Sequence, residues 1–226
     1  MKIKKSLFYF FLLLSLNLYG QDWPNFNRYR QDNYRVGMPA ENENRIVFIG
    51  NSITEGWSVK YPEFFNGKPY INRGISGQTT PQMLVRFRAD VIDLKPRVVV
   101  ILAGTNDIAG NTGPSTVKMI ADNIFSMAEL ARKHDISVII SSVLPVYKYS
   151  WIEEDLDPVP IISRLNAIIK NYTLKNGHIY LDYYSEMVDE RMGLMEKYTP
   201  DGVHANKAGY KVMSALAEKA IIKALK

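Results

Sequence analysis

The run Ile46-Val47-Phe48-Ile49, closed by Gly50-Asn51-Ser52, constrains this chain more than any other feature. Consecutive apolar residues carry neither the spacing of an amphipathic helix nor the alternation of a half-buried strand. Such a strand must be covered on both faces, as in a parallel sheet between helices. Val98-Val99-Val100-Ile101-Leu102 and Ser137 to Val143 repeat the pattern, with shorter strands expected at Tyr70-Ile71 and Ile179-Tyr180-Leu181.

Helical spacing fills the intervals. Thr80-Pro81 suits an N-cap and first helical position ahead of Met83, Leu84, Phe87, Val91 and Ile92. Ser115 can cap a helix bearing Val117, Ile120, Ile124, Met127 and Ala131. Further helices are expected over Ile161 to Lys175, Glu186 to Lys197, and Asn206 to the C-terminus. Residues 21–44 are polar with interspersed aromatics, an irregular or short helical approach that packs onto the domain. Leu144 to Pro160, with three prolines, the acidic cluster Glu153, Glu154, Asp155 and Asp157, and the aromatics Tyr147, Tyr149 and Trp151, is expected to form a long functional loop. Strands alternating with helices specify an α/β fold whose parallel sheet is covered on both faces.

Residues 1–20 combine Lys2, Lys4 and Lys5 with an apolar centre from Leu7 to Leu16, the form of a secretory signal peptide. That centre is shorter than the roughly 20 residues a membrane span needs, so no stable membrane anchor is expected. Residues 21–226 then suit a single domain. The formal charge of +5 falls to +2 without the three leader lysines, which argues against a nucleic-acid partner. Cysteine is absent, excluding disulfides, cysteine metal sites and lipid attachment through an N-terminal cysteine.

Ser52 follows the first apolar strand, and ligands of open α/β sheets bind beyond the carboxyl ends of the strands. A serine there can meet a substrate, or simply cap a turn or helix. A nucleophilic serine needs a base, and the chain has three histidines. His134 ends a helix, where a cation meets the helix dipole; His178 enters a strand at the opposite edge. His204 remains, three residues after Asp201 in Thr199-Pro200-Asp201-Gly202-Val203-His204, a spacing that lets the carboxylate hold the imidazole while the imidazole takes a serine proton. The backbone N–H groups of Ser52 and Gly77 and the Asn106 amide, at neighbouring strand ends, are candidate donors to an oxyanion. A loop glycine such as Gly77 more often serves a positive φ, and Asn106 could equally be a turn residue.

Gly50-Asn51-Ser52, Gly74-Ile75-Ser76-Gly77, Gly104-Thr105-Asn106-Asp107 and Asp201-Gly202-Val203-His204 resemble, in order, the four blocks of the SGNH (GDSL-type) esterases. The resemblance implies a flavodoxin-like three-layer α/β/α sandwich around a five-stranded parallel sheet. It implies Ser52 as nucleophile, Asp201 and His204 as the rest of a triad, and Ser52, Gly77 and Asn106 as the oxyanion hole. Asp107 is expected to tie the loops together. One departure stands out: the residue before the nucleophile is usually Asp and here is Asn51.

The expected reaction is hydrolysis of a carboxylic ester through an acyl-serine, without a metal or organic cofactor. The blocks, with Gly77-Gln78-Thr79-Thr80, look most like the branch holding platelet-activating-factor-acetylhydrolase-like and carbohydrate acetylesterases. Trp57, Tyr147, Tyr149 and Trp151 are candidates to stack on sugar rings, favouring a glycan or small-molecule acetyl ester. The alternatives are a lipid-directed esterase, either lysophospholipase or thioesterase, and a non-catalytic carbohydrate-binding protein on the same fold.

Overall fold

Backbone groups of a strand buried on both faces can be satisfied only by neighbouring strands, and the apolar runs assemble accordingly. The computed structural model describes residues 22–152 and 155–226. The expected signal peptide, and Glu153 and Glu154 of the acidic cluster, lie outside the described residues. Five strands, β1 (Ile46–Gly50), β2 (Tyr70–Gly74), β3 (Val98–Leu102), β4 (Ser137–Ser141) and β5 (Ile179–Leu181), form one sheet in the order β2-β1-β3-β4-β5. Every pairing is parallel. Eight α-helices are described: α1 (Arg30–Val36), α2 (Ser52–Lys60), α3 (Thr80–Asp90), α4 (Thr105–Ile108), α5 (Val117–Lys133), α6 (Pro158–Lys175), α7 (Tyr184–Met187) and α8 (Lys207–Ala224).

Alternate residues of each strand feed two cores. Val47, Ile49, Val99, Ile101, Val138 and Ile140 pack against α3, α5 and α6 through Met83, Phe87, Ile124, Met127, Leu165 and Ile169. Ile46, Phe48, Val98, Val100 and Ile139 face α2 and α8 through Trp57, Tyr210, Met213 and Ala217. This is the expected flavodoxin-like α/β/α sandwich. The order of strands reverses between β1 and β3, the crevice at which such sheets bind ligands. Register sets Gly50 level with Gly74 on one side and Leu102 on the other, so the loops after β1, β2 and β3 leave the same edge together.

Some boundaries differ from expectation. Thr79, one residue before Thr80, caps α3, and its N–H donates to Gln82 Oε1 at 3.1 Å. Thr116 rather than Ser115 caps α5, accepting from the Met119 N–H. The segment expected to be helical from Glu186 to Lys197 holds only the end of α7, a bridge between Val188 and Leu194, and a 3₁₀ turn at Glu196–Tyr198. Its helix is broken because Asp189 turns its carboxylate onto the N–H groups of Arg191 and Gly193, a local bond that competes with helical pairing. The loop expected to run to Pro160 ends at Asp157, which caps α6 by accepting from the Val159 N–H.

Candidate active site

Ser52 owes its position to the step from β1 into α2. Asn51 caps that helix, its Oδ1 accepting from the Ile53 N–H at 3.0 Å, so Ser52 becomes the first helical residue with its hydroxyl at the sheet edge. The alternatives seen in the sequence therefore resolve locally: Asn51 does the capping and leaves the Ser52 hydroxyl free. A Cβ on Gly74 would stand 2.1 Å from the Glu55 nitrogen, so glycine alone lets the end of β2 lie against the first turn of α2.

The partner of Ser52 arrives from the far end of the chain. Tyr210 of α8 donates its hydroxyl to Ile53 O at 2.7 Å, and Lys60 donates to Ala205 O at 3.2 Å, fastening the segment before α8 onto α2. Ser52 Oγ and His204 Nε2 are 2.9 Å apart, and His204 Nδ1 lies 2.7 Å from Asp201 Oδ2. An imidazole that donates its Nδ1–H to the carboxylate presents Nε2 as an acceptor to the hydroxyl. The other carboxylate oxygen, Asp201 Oδ1, accepts from the N–H groups of Val203 (3.0 Å) and His204 (2.8 Å) and from the Thr199 hydroxyl (3.2 Å). Partial burial pushes the Asp201 carboxyl up, but the N–H groups of His204 and Val203 and the imidazole outweigh it and hold the group at about 2. The carboxylate is thus ionised throughout the neutral range, ready to stabilise an imidazolium.

The loop after β2 turns at Gly77, whose φ of +78° favours glycine. Asn111 clamps this turn by donating its amide to Gly77 O at 3.0 Å. Asn106, in α4 directly after β3, donates from Nδ2 to Gln78 O at 2.9 Å. An amide nitrogen carries two hydrogens; the bond to Gln78 fixes the group and leaves its second N–H for a ligand. Gln78 is held in turn by its side chain, Oε1 accepting from Arg86 Nε at 2.6 Å. Arg86 also donates to Gly50 O at 3.1 Å and to Asp90 at 2.9 Å. A buried guanidinium therefore joins the loops after β1 and β2. Arg86 and Gln78 escaped sequence reasoning; the available signal was an arginine among the apolar positions of α3.

Asp107 does tie loops together, as expected. Its carboxylate accepts from the Thr80 N–H at 2.9 Å and from the Thr80 hydroxyl. Burial pushes its carboxyl up to about 6, against the pull of those two donors.

A family model described as GDSL-like lipase/acylhydrolase matches residues 48–212, which include Ser52, Asn106 and His204. The chain belongs to this family. The crystal structure of a GDSL-like lipase from Bacteroides thetaiotaomicron is 47% identical, with a TM-score of 0.88 over 90% of this chain and 100% of that one. The acetylxylan esterase of Xylanibacter ruminicola is 25% identical over 222 residues, 82% of this chain and 45% of that protein. An uncharacterized lipoprotein of Bacillus subtilis, YqeF, is 31% identical over 128 residues, covering 49% of this chain and 53% of its own. The chain spans about half the length of the curated relatives it matches.

Within this GDSL-type frame, two of the aromatics expected to touch substrate do not reach the site. Trp57 is 1% exposed, stacked between Phe64 and Tyr210, with its indole N–H donated to Ser214. It points away because it lies on the face of α2 that covers Phe48 of β1. Tyr149 is buried as well, its hydroxyl bonded to Thr105 at the start of α4. Trp151 and Tyr147 are exposed to solvent instead. Trp151 is 48% exposed with its ring centroid 6.3 Å from that of His204, and Tyr147 is exposed beside the Arg191 guanidinium. Asn51, where the family usually has Asp, keeps the capping acceptor, but its buried Nδ2 has no partner among the described residues. His134 caps the end of α5, and His178 lies beyond the opposite edge of the sheet beside Tyr172.

Proposed function

We propose that this protein is a single-domain serine esterase, exported by its N-terminal leader, that removes a small acyl group, acetyl foremost, from a carbohydrate. The observation that carries this reading is the unbroken chain from the Ser52 hydroxyl through His204 to Asp201. His204 takes the hydroxyl proton as Ser52 Oγ attacks the ester carbon. The resulting oxyanion accepts from the N–H groups of Ser52 and Gly77 and the free N–H of Asn106. His204 then returns the proton to the departing sugar oxygen, leaving an acyl-serine. Water, deprotonated by the same imidazole, attacks the acyl carbon; His204 returns that proton to Ser52 Oγ as the bond from Oγ to the acyl carbon breaks, which releases the carboxylic acid and restores the serine.

Trp151 supports a sugar as the leaving alcohol, because its exposed ring stands beside the imidazole that must protonate that alcohol. Similarity to an acetylxylan esterase supports the same reading, and relatedness to a lipoprotein supports export. Rates on p-nitrophenyl esters of two to eight acyl carbons, and acetate release from acetylated xylo-oligosaccharides, test it. Acetyl esters are expected to be the best substrates, and Ser52→Ala to lower kcat by at least about 10³-fold. Equal or faster turnover of long acyl chains would defeat the small-acyl reading. Retention of hydrolysis by Ser52→Ala would defeat the mechanism.

A further inference from the structure

The segment ahead of α1 is tethered to the loop that carries Gly77. Gln78 Nε2 donates to Pro24 O and Gln82 Nε2 to Trp23 O, both at 2.7 Å. Asp22 stiffens the segment from within by accepting from the N–H groups of Phe26 and Asn27. Between the segment and the loop lies an open cavity of about 470 Å³, bounded among others by Trp23, Asn25, Gly77, Asn111 and Thr112. That volume falls within the usual range of small-ligand sites, roughly 300–1,000 Å³.

The walls have a distinctive chemistry. Trp23 is 44% exposed, and its backbone carbonyl accepts from Gln82, so its segment is tied to the start of α3 while the indole keeps an apolar face open to solvent. An indole ring offers a broad apolar face of the kind enriched where proteins meet ligands and partners. Asn25, Asn111 and Thr112 line the cavity with it, the Thr112 hydroxyl sharing a bond with the Thr79 hydroxyl at 2.9 Å that leaves it capacity for one more partner. The bond from Asn111 to Gly77 O uses one of its N–H groups and leaves the other, with the side-chain carbonyl, for a ligand. A flat apolar ring edged by amides and hydroxyls complements a pyranose, whose C–H face is apolar and whose rim is hydroxylated.

We propose that this cavity is a subsite for a second sugar ring of the substrate, with Trp23 as its stacking platform and Asn25, Asn111 and Thr112 binding its hydroxyls. The inference rests on the reading of Ser52 as the nucleophile of a carbohydrate esterase. The esterified ring must lie by His204, which protonates its departing oxygen. The cavity, which Gly77 lines and which does not include His204, therefore takes a neighbouring ring of the same oligosaccharide.

The test compares acetylated xylose with acetylated xylotetraose. The preference for the longer substrate, read as the ratio of the two kcat/KM values, is expected to fall about tenfold in Trp23→Ala, the worth of one aromatic contact. Trp23→Phe should restore most of it. Neither substitution touches the tether from Gln82, which grips a backbone carbonyl. Calorimetric titration of unacetylated xylotetraose into the parent and into Trp23→Ala supplies a reading independent of catalysis, with weaker binding expected in the variant. An unchanged length preference together with unchanged binding would overturn the subsite. If the parent hydrolyses p-nitrophenyl acetate but no acetylated sugar, the carbohydrate reading of Ser52 falls, and the titration alone decides whether Trp23 binds a sugar.

Discussion

Arg86 offers the sharpest test of how the strand-end loops are held. Its side chain is fully buried and meets Asp90, Gly50 O and Gln78 Oε1. Arg86→Met removes the cation and leaves the Asp90 carboxylate, itself buried, with Asn33 Nδ2 at 2.7 Å. Gly50 O keeps the Ile75 N–H at 3.0 Å, whereas Gln78 Oε1 loses its guanidinium donor. Stranding one member of a buried ion pair costs roughly 3–5 kcal/mol. At about 2–4 °C per kcal/mol for a chain of this size, Tm should drop by roughly 6–20 °C. The double variant Arg86→Met/Asp90→Leu removes the stranded charge and should be more stable than the single variant, by at least about 1 kcal/mol. Thermal and urea unfolding followed by circular dichroism measure both. Activity at a temperature where all three proteins are folded adds a second reading. Loosening Gln78 frees the Asn106 amide, so kcat should fall more than KM changes, by less than the roughly 10²–10³-fold expected for losing an oxyanion donor outright. A single variant within about 1 kcal/mol of the parent, or a double variant less stable than the single, would refute the assignment of Arg86 as a paired charge organising these loops.

The raised carboxyl of Asp107 makes stability depend on pH. Because the folded state holds this proton more tightly than the unfolded chain, the contribution is present below about pH 4 and lost as pH rises through about 6. Urea unfolding at several pH values between 4 and 7, a window above the titration of Asp201, should show the parent losing up to about 3 kcal/mol relative to Asp107→Asn; parallel pH profiles would contradict this. Trp57→Ala should lower stability by roughly 3–5 kcal/mol, because it empties the stack with Phe64 and Tyr210. Trp151→Ala should change stability by no more than about 0.5 kcal/mol while raising KM for acetylated sugars, so unfolding curves and steady-state kinetics on the two variants separate core from rim.

Local chemistry wrote the layers and the placement of the loops into the sequence. Apolar runs without alternation demand cover on both faces, and glycine and proline punctuate them, so the five parallel strands and most helices were legible. Asp201 and His204 were legible as a pair because three residues of one turn separate them, and Ser52 because a strand runs into it. The break after α7 was not, since a helix former and a side chain that captures nearby N–H groups look alike until the turn at Asp189 is seen. Which way a side chain faces belongs to the tertiary structure. Trp57 reads as a site aromatic until Tyr210 and Ser214, more than 150 residues away, close over it. Arg86 carries no assignable role in the sequence, and only the tertiary structure shows it bonded to Gly50 O and Gln78 Oε1. Periodicity along the chain sets what must be buried, but the partner that buries it arrives through packing between distant segments, and that packing decides which polar groups are left facing the ligand.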